Sequence, residues 1–128
     1  MTETELKGRT KEFALRVLKL AEALPRTNAG RVLGGQVTRS ATSVAANYRA
    51  VCRAKSRADF ISKLGTVEEE ADETGFWLEL ITDAELLPPV KVAALRQEAD
   101  ELTAIFVRSL KTVRDGRITP KSKLQNPK

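Results

Sequence analysis

Arginine is the residue type with most chemical reach in this chain, because its spacing is ordered. Arg31, Arg39, Arg49 and Arg53 fall in one stretch. On a helix turning about 100° per residue they share an arc of roughly 80°. Guanidinium forks on one face match phosphate oxygens, and they match carboxylates equally well. Arg26 to Lys63 hold eight Lys/Arg against one acid, and Leu64 to Glu85 hold eight acids and no Lys/Arg. Three readings stay open: solvated surface, pairing with those acids within or between chains, and phosphate binding. In the third reading Arg117, Lys121 and Lys123 of the basic tail join the arginine face.

Catalytic chemistry finds little to work with. The chain has no histidine, so histidine triads and histidine-based acid/base pairs are excluded. Cys52 stands between Arg49 and Arg53, which could lower its pKa, although a buried and inert thiol is the simpler reading. Gly34-Gly35 is not a phosphate loop. Glu68, Asp72 and Glu79 share a helix flank, but di-metal bundle sites need Glu-x-x-His pairs, so neither metal nor cofactor is expected. A small helical mutase using Arg16, Arg39 and Arg53 on a dicarboxylate is a remote alternative, since nothing in the spacing fixes their convergence.

Positioning these groups falls to four amphipathic helices. The first is expected over about residues 4–24, with Leu6, Phe13, Val17, Leu20 and Leu24 at helical spacing before Pro25. The second, about 30–54, buries Leu33, Val37, Ala41, Val44, Tyr48 and Val51, with its start blurred by Gly34-Gly35. The third, about 56–85, begins at a Ser56 cap with Asp59 in the capping-box position and runs through Phe60, Leu64, Val67, Ala71, Gly75 and Leu78. The fourth, about 89–114, follows Pro88-Pro89. Its seam of Val92, Leu95, Ala99, Leu102, Phe106, Ser109 and Val113 has no faulty step. Short connections favour an all-α, antiparallel, up-down-up-down four-helix bundle over residues 1–115. Residues 116–128 form a basic tail with little to bury.

Two strips beside the core point to contacts. Gln36, Ser40, Ser43 and Asn47 recur at steps of four, three and four, which suits a close, polar-lined helix contact. Phe76, Trp77 and Leu80 lie off the third helix's main stripe. An exposed Trp there would mark a protein contact, while a Trp closing the core edge would not. The second–third helix charge pair is also expected at a close contact. The single cysteine, the lack of an apolar signal-peptide core and the absence of a membrane-length apolar run point to a cytoplasmic chain with no membrane role. The net charge is +5, of which residues 114–128 contribute +4.

From roughly Phe13 to Leu87, and most specifically from Arg39 to Ile81, the chain also resembles the four-helix-bundle family named after the 23S rRNA intervening-sequence protein. The resemblance rests on Gln36, Arg39, Ser40, Ser43, Val44 and Asn47 in a Gln-x-x-Arg-Ser-x-x-Ser-Val-x-x-Asn pattern. Ser56, Asp59 and Phe60 follow, then Glu69, Glu70, Asp72, Glu73, Phe76 and Trp77. Where many relatives carry Ala-Glu-Gly after the Asn, this chain has Tyr48-Arg49-Ala50. The resemblance implies a homo-oligomeric, pentameric barrel without known catalysis. Some relatives are encoded within rRNA insertions. Others, the accessory variability determinants of diversity-generating retroelements, bind nucleic acid and a reverse transcriptase. The expected function is therefore a non-enzymatic RNA- or DNA-binding accessory protein. The alternative is a structural interaction module with Phe76 and Trp77 holding a protein partner.

Overall fold

The computed structural model describes residues 1–116. Among them are four helices and no strands: α1 (Glu3–Glu22), α2 (Asn28–Val51), α3 (Arg57–Asp83) and α4 (Pro89–Arg114). No helix among the described residues is long and apolar enough to cross a membrane.

The helix ends follow local hydrogen-bond chemistry. Thr2 and Glu5 form a full capping box at α1: Thr2 Oγ1 accepts the Glu5 N–H, and the Glu5 carboxylate accepts the Thr2 N–H. Thr27 caps α2 by accepting the Gly30 N–H, so α2 starts at Asn28, ahead of the glycine expected to begin it. Its end is earlier than expected as well. Beyond Val51 the amides of Arg53 and Ala54 bond three residues back, and the last turn tightens rather than continuing as α-helix. Ser56 caps α3 as expected, but Asp59 reaches past it to the Lys55 N–H. The α3 end is a Schellman motif: Leu86 N–H bonds Ile81 C=O, Glu85 N–H bonds Thr82 C=O, and Glu85 takes φ 57°.

The turn between α1 and α2 admits only glycine at position 30. A Cβ there would lie 1.9 Å from the Pro25 carbonyl oxygen. Nearby, Leu24 lies close enough to Gly34 that a Cβ would meet its Cδ1 at 3.3 Å.

The apolar stripes converge on one core. Val17, Val37, Val44, Leu64, Val67, Leu78, Leu102 and Phe106 are fully buried, and the Tyr48 and Phe106 rings tilt together with centroids 5.9 Å apart. Every residue of the α4 seam read from sequence is buried. On α3 the buried position is Thr74 rather than Gly75. Helix α2 packs against α1 and α3, α3 against α4, and α1 meets α4 along the thinnest of these seams. Arg9 clamps that seam. Its Nε and Nη2 each reach a Glu98 carboxylate oxygen at 2.7 Å, and Nη2 also reaches Glu101 at 2.7 Å. The carboxyl of Glu101 is held below the usual carboxylate range by Gln97 first and Arg9 second.

Candidate functional site

The arginines of α2 share a helix but not a chemistry. Arg39 is committed to α3: its Nη1 lies 3.2 Å from Glu70 Oε1, its Nη2 pairs with Glu73, and its Nε donates to Gln36 Oε1 at 3.3 Å. Trp77 Nε1 donates to the same Glu73 oxygen that takes Arg39, at 3.3 Å. Gln36, Arg39, Glu70, Glu73 and Trp77 thus form one surface network across the α2–α3 seam. Exposed pairs of this kind are screened by solvent, so the network orients side chains more than it stabilises the fold.

Arg31 is exposed and donates to the Arg26 carbonyl at 3.2 Å. Arg49 and Arg53 are exposed, and among the described residues neither pairs with a carboxylate. They border an open cavity of about 490 Å3 with Ala46, Ala50 and Lys63. Lys63 pairs with Asp59 one turn earlier. The floor is small and apolar and the edge is cationic, so this groove admits an anion without displacing an internal partner. Arg117, Lys121 and Lys123 lie outside the described residues.

The small-residue strip divides in the same way. Ser40 is fully buried, accepts a hydrogen bond from Thr74 Oγ1 at 2.8 Å, and donates to the Val37 carbonyl. Thr74 is buried beside it, so this pair is the tight polar contact between α2 and α3. Gln36, Ser43 and Asn47 are half-buried, and Asn47 turns its amide back to the Ser43 carbonyl at 2.9 Å. Only Ser40 of the strip makes the expected helix–helix hydrogen bond.

On α3, Phe76 is exposed at 49 %, directly away from the core. Trp77 is half-buried against the core edge, with its ring centroid 5.2 Å from that of Phe76. Leu80 and Glu68 are half-buried, and Asp72 is exposed. Among the described residues no group of three or more His, Cys, Asp or Glu is arranged to hold a metal ion.

Cys52 follows burial rather than its neighbouring arginines. It is half-buried, and burial pushes its thiol pKa up, with smaller and partly opposing effects from Tyr48, Glu3 and Lys7. This agrees with the simpler reading of a covered, inert thiol, and lowering by Arg49 and Arg53, the other possibility, is absent from those effects. Tyr48 is fully buried, and its hydroxyl lies beside the Cys52 thiol with no hydrogen-bond partner among the described residues. Burial first, then the adjacent Cys52, drives its pKa up.

Residues 2–108 match the family described as 23S rRNA-intervening sequence protein. The chain belongs to that family. A solved structure from Bacteroides thetaiotaomicron, described as a protein of unknown function from the S23 ribosomal protein family, is 35 % identical. The match covers 83 % of this chain and 98 % of that one, with a TM-score of 0.77. No curated protein matches the chain. The likeness extends to the fold, while the description of the relative leaves its activity open.

Several features escaped the sequence reading. Arg9, Glu98 and Glu101 are far apart in sequence and carry no local motif. Thr74 was within reach, since 67, 71, 74 and 78 keep helical steps as faithfully as the path through Gly75. The Thr-x-x-Glu of Thr2 and Glu5 was a visible capping signal that the reading passed over.

Proposed function

We propose that this chain is a non-enzymatic, homo-oligomeric accessory protein of the cytoplasm that binds RNA or DNA through phosphate contacts. The observation that carries the reading is the groove of Arg49 and Arg53 beside Lys63, where two arginines lack carboxylate partners. Guanidinium groups free of internal ion pairs are available to phosphate oxygens at no cost in broken contacts. Arg31 and the basic residues Arg117, Lys121 and Lys123 extend the charge. The family's name connects it with rRNA. The resemblance to retroelement accessory proteins adds a reverse transcriptase as a candidate partner.

The arrangement proposed is an antiparallel up-down-up-down bundle, closed into a ring of five copies as the resemblance implies. Contacts between helices support the antiparallel sense. Arg57 Nη2 donates to the Val113 carbonyl at 2.6 Å, and Gly75 lies against Ala99, so positions rise on α3 as they fall on α4.

Fluorescence anisotropy with mixed-sequence RNA and DNA tests the reading. Binding at low salt should weaken steeply as salt rises, with a log–log slope of about −0.7 to −0.9 per phosphate neutralised. Undetectable binding to both at low salt defeats it.

Arg39 favours a second reading. Its guanidinium is taken up by Glu70 and Glu73, which is how every arginine would behave in a purely structural interaction module. In that module Arg49 and Arg53 meet acids of a neighbouring copy. Charge reversal at both then breaks assembly, and an unchanged oligomer counts against the module.

A further inference from the structure

Two surfaces left unused by the arginine groove are complementary to one another. The first is a cavity of about 480 Å3 where the end of α1 meets the start of α4, walled by Leu20, Leu87 and Leu95 among others. Its lining includes the cations Arg16, Lys19 and Lys91 and no acid. None of these three has an ion-pair partner among the described residues. The second surface is the outward face of α3. Phe76 projects there, with Asp72 one turn before it and Glu79 one turn after, flanked further out by Glu69 and Asp83. These four carboxylates are exposed and have no cation partner among the described residues. Glu70 and Glu73, the acids turned toward α2, are taken by Arg39.

We infer that Phe76 of one copy seats in the α1–α4 cavity of a second copy, with its flanking carboxylates meeting Arg16, Lys19 and Lys91. An aromatic side chain needs an apolar socket, and the cavity offers one. The acids beside it need cations, and the rim supplies them. An aromatic anchor in a pocket ringed by matching charge is the usual form of an interface hot spot. The two patches lie on different helices, so the contact is heterologous: each copy offers Phe76 to one neighbour and its cavity to another. Such contacts propagate into a ring or a filament. The inference rests on the proposed homo-oligomer and gives it a contact surface.

Native mass spectrometry with and without substitutions tests it. Phe76→Asp and, separately, the Lys19→Glu/Lys91→Glu pair should each shift the protein to the mass of one chain. All three positions are exposed, so circular dichroism should show unchanged helix content. Mixing the two variants is the sharper measurement. One retains the socket and the other retains the anchor, so the mixture should form a dimer and stop there. Failure of the unsubstituted chain to assemble overturns the oligomeric reading and this inference together. An oligomer that survives Phe76→Asp, or a mixture that stays monomeric, overturns the inference alone.

Discussion

The middle of α2 and its C-terminal end are built from the same residue types and resolve them in opposite ways. In the middle, Arg39 meets Glu70 and Glu73 outside, and Ser40 meets Thr74 inside. At the end, among the described residues, Arg49 and Arg53 meet no carboxylate outside, and the Tyr48 hydroxyl has no hydrogen-bond partner inside. The cause is register. The middle of α2 lies against the part of α3 where its acids are dense, whereas Arg49 and Arg53 lie beside Lys63, near the cationic start of α3. Opposite net charge on neighbouring segments is therefore not pairing. Only the stretch of α2 that meets the acidic half is neutralised, and the remainder stays available.

Reversing the charge of the unpaired end should produce the largest effect. Arg49→Glu with Arg53→Glu should lower nucleic-acid affinity by tenfold or more at low salt and flatten the salt dependence by about one to two contacts. The melting temperature should barely move, because neither side chain holds an internal ion pair. A loss of stability without a loss of binding would erase the distinction between the two regions.

The buried side of the middle region is next. Ser40→Leu adds volume where Thr74 already makes contact, and should cost about 1–3 kcal/mol in urea unfolding. The buried side of the end should respond with the other sign. Tyr48→Phe removes a buried hydroxyl that lies beside a thiol without a hydrogen-bond partner among the described residues. It should stabilise the fold by about 1 kcal/mol, read as a higher denaturant midpoint. A destabilised Tyr48→Phe would mean that the hydroxyl is satisfied after all, and the inner half of the comparison would collapse.

Smaller effects follow at the surface. Arg39→Ala should lower the denaturant midpoint only slightly and leave nucleic-acid binding intact, since its charge is already taken by Glu70 and Glu73. The pH profile should be weaker still. Glu5 is held below its ordinary value by Thr2, and Glu101 by Gln97 and Arg9. Lowered carboxylate pKa values add stability above the ordinary carboxylate range, and that contribution disappears as pH falls through the lowered values. Acid titration followed by circular dichroism should show softening below about pH 4, and Arg9→Ala should flatten it.

Much of the fold was legible because it depends on local signals. The α4 seam kept its steps of three and four from Val92 to Val113, and Ser56 and Pro89 marked real helix starts. Helix ends were read too long where three-residue hydrogen bonds replaced four-residue ones, as at Arg53 and Ala54. The site was less legible. The angle of Arg39 on its helix was correct, but its partners depend on which turn of α3 lies opposite. Arc and composition do not encode that register. The same limit hid Arg9 and its two glutamates, joined only when α1 meets α4. Cys52 was legible in its simpler reading, since the fold covers the thiol and burial, not the neighbouring arginines, sets its pKa.

Gly30 carries a last consequence. An oxygen occupies the space where any other residue would put a carbon, so the first hairpin hangs from an atom that is missing. Replacing Arg49 or Arg53 on the outer face breaks no ion pair among the described residues. The joint at Gly30 tolerates no such replacement: one methyl would pry α1 from α2 and, through Leu24 against Gly34, distort the corner next to it. The turn depends on the missing side chain at position 30, and Arg49 and Arg53 play no part in setting it.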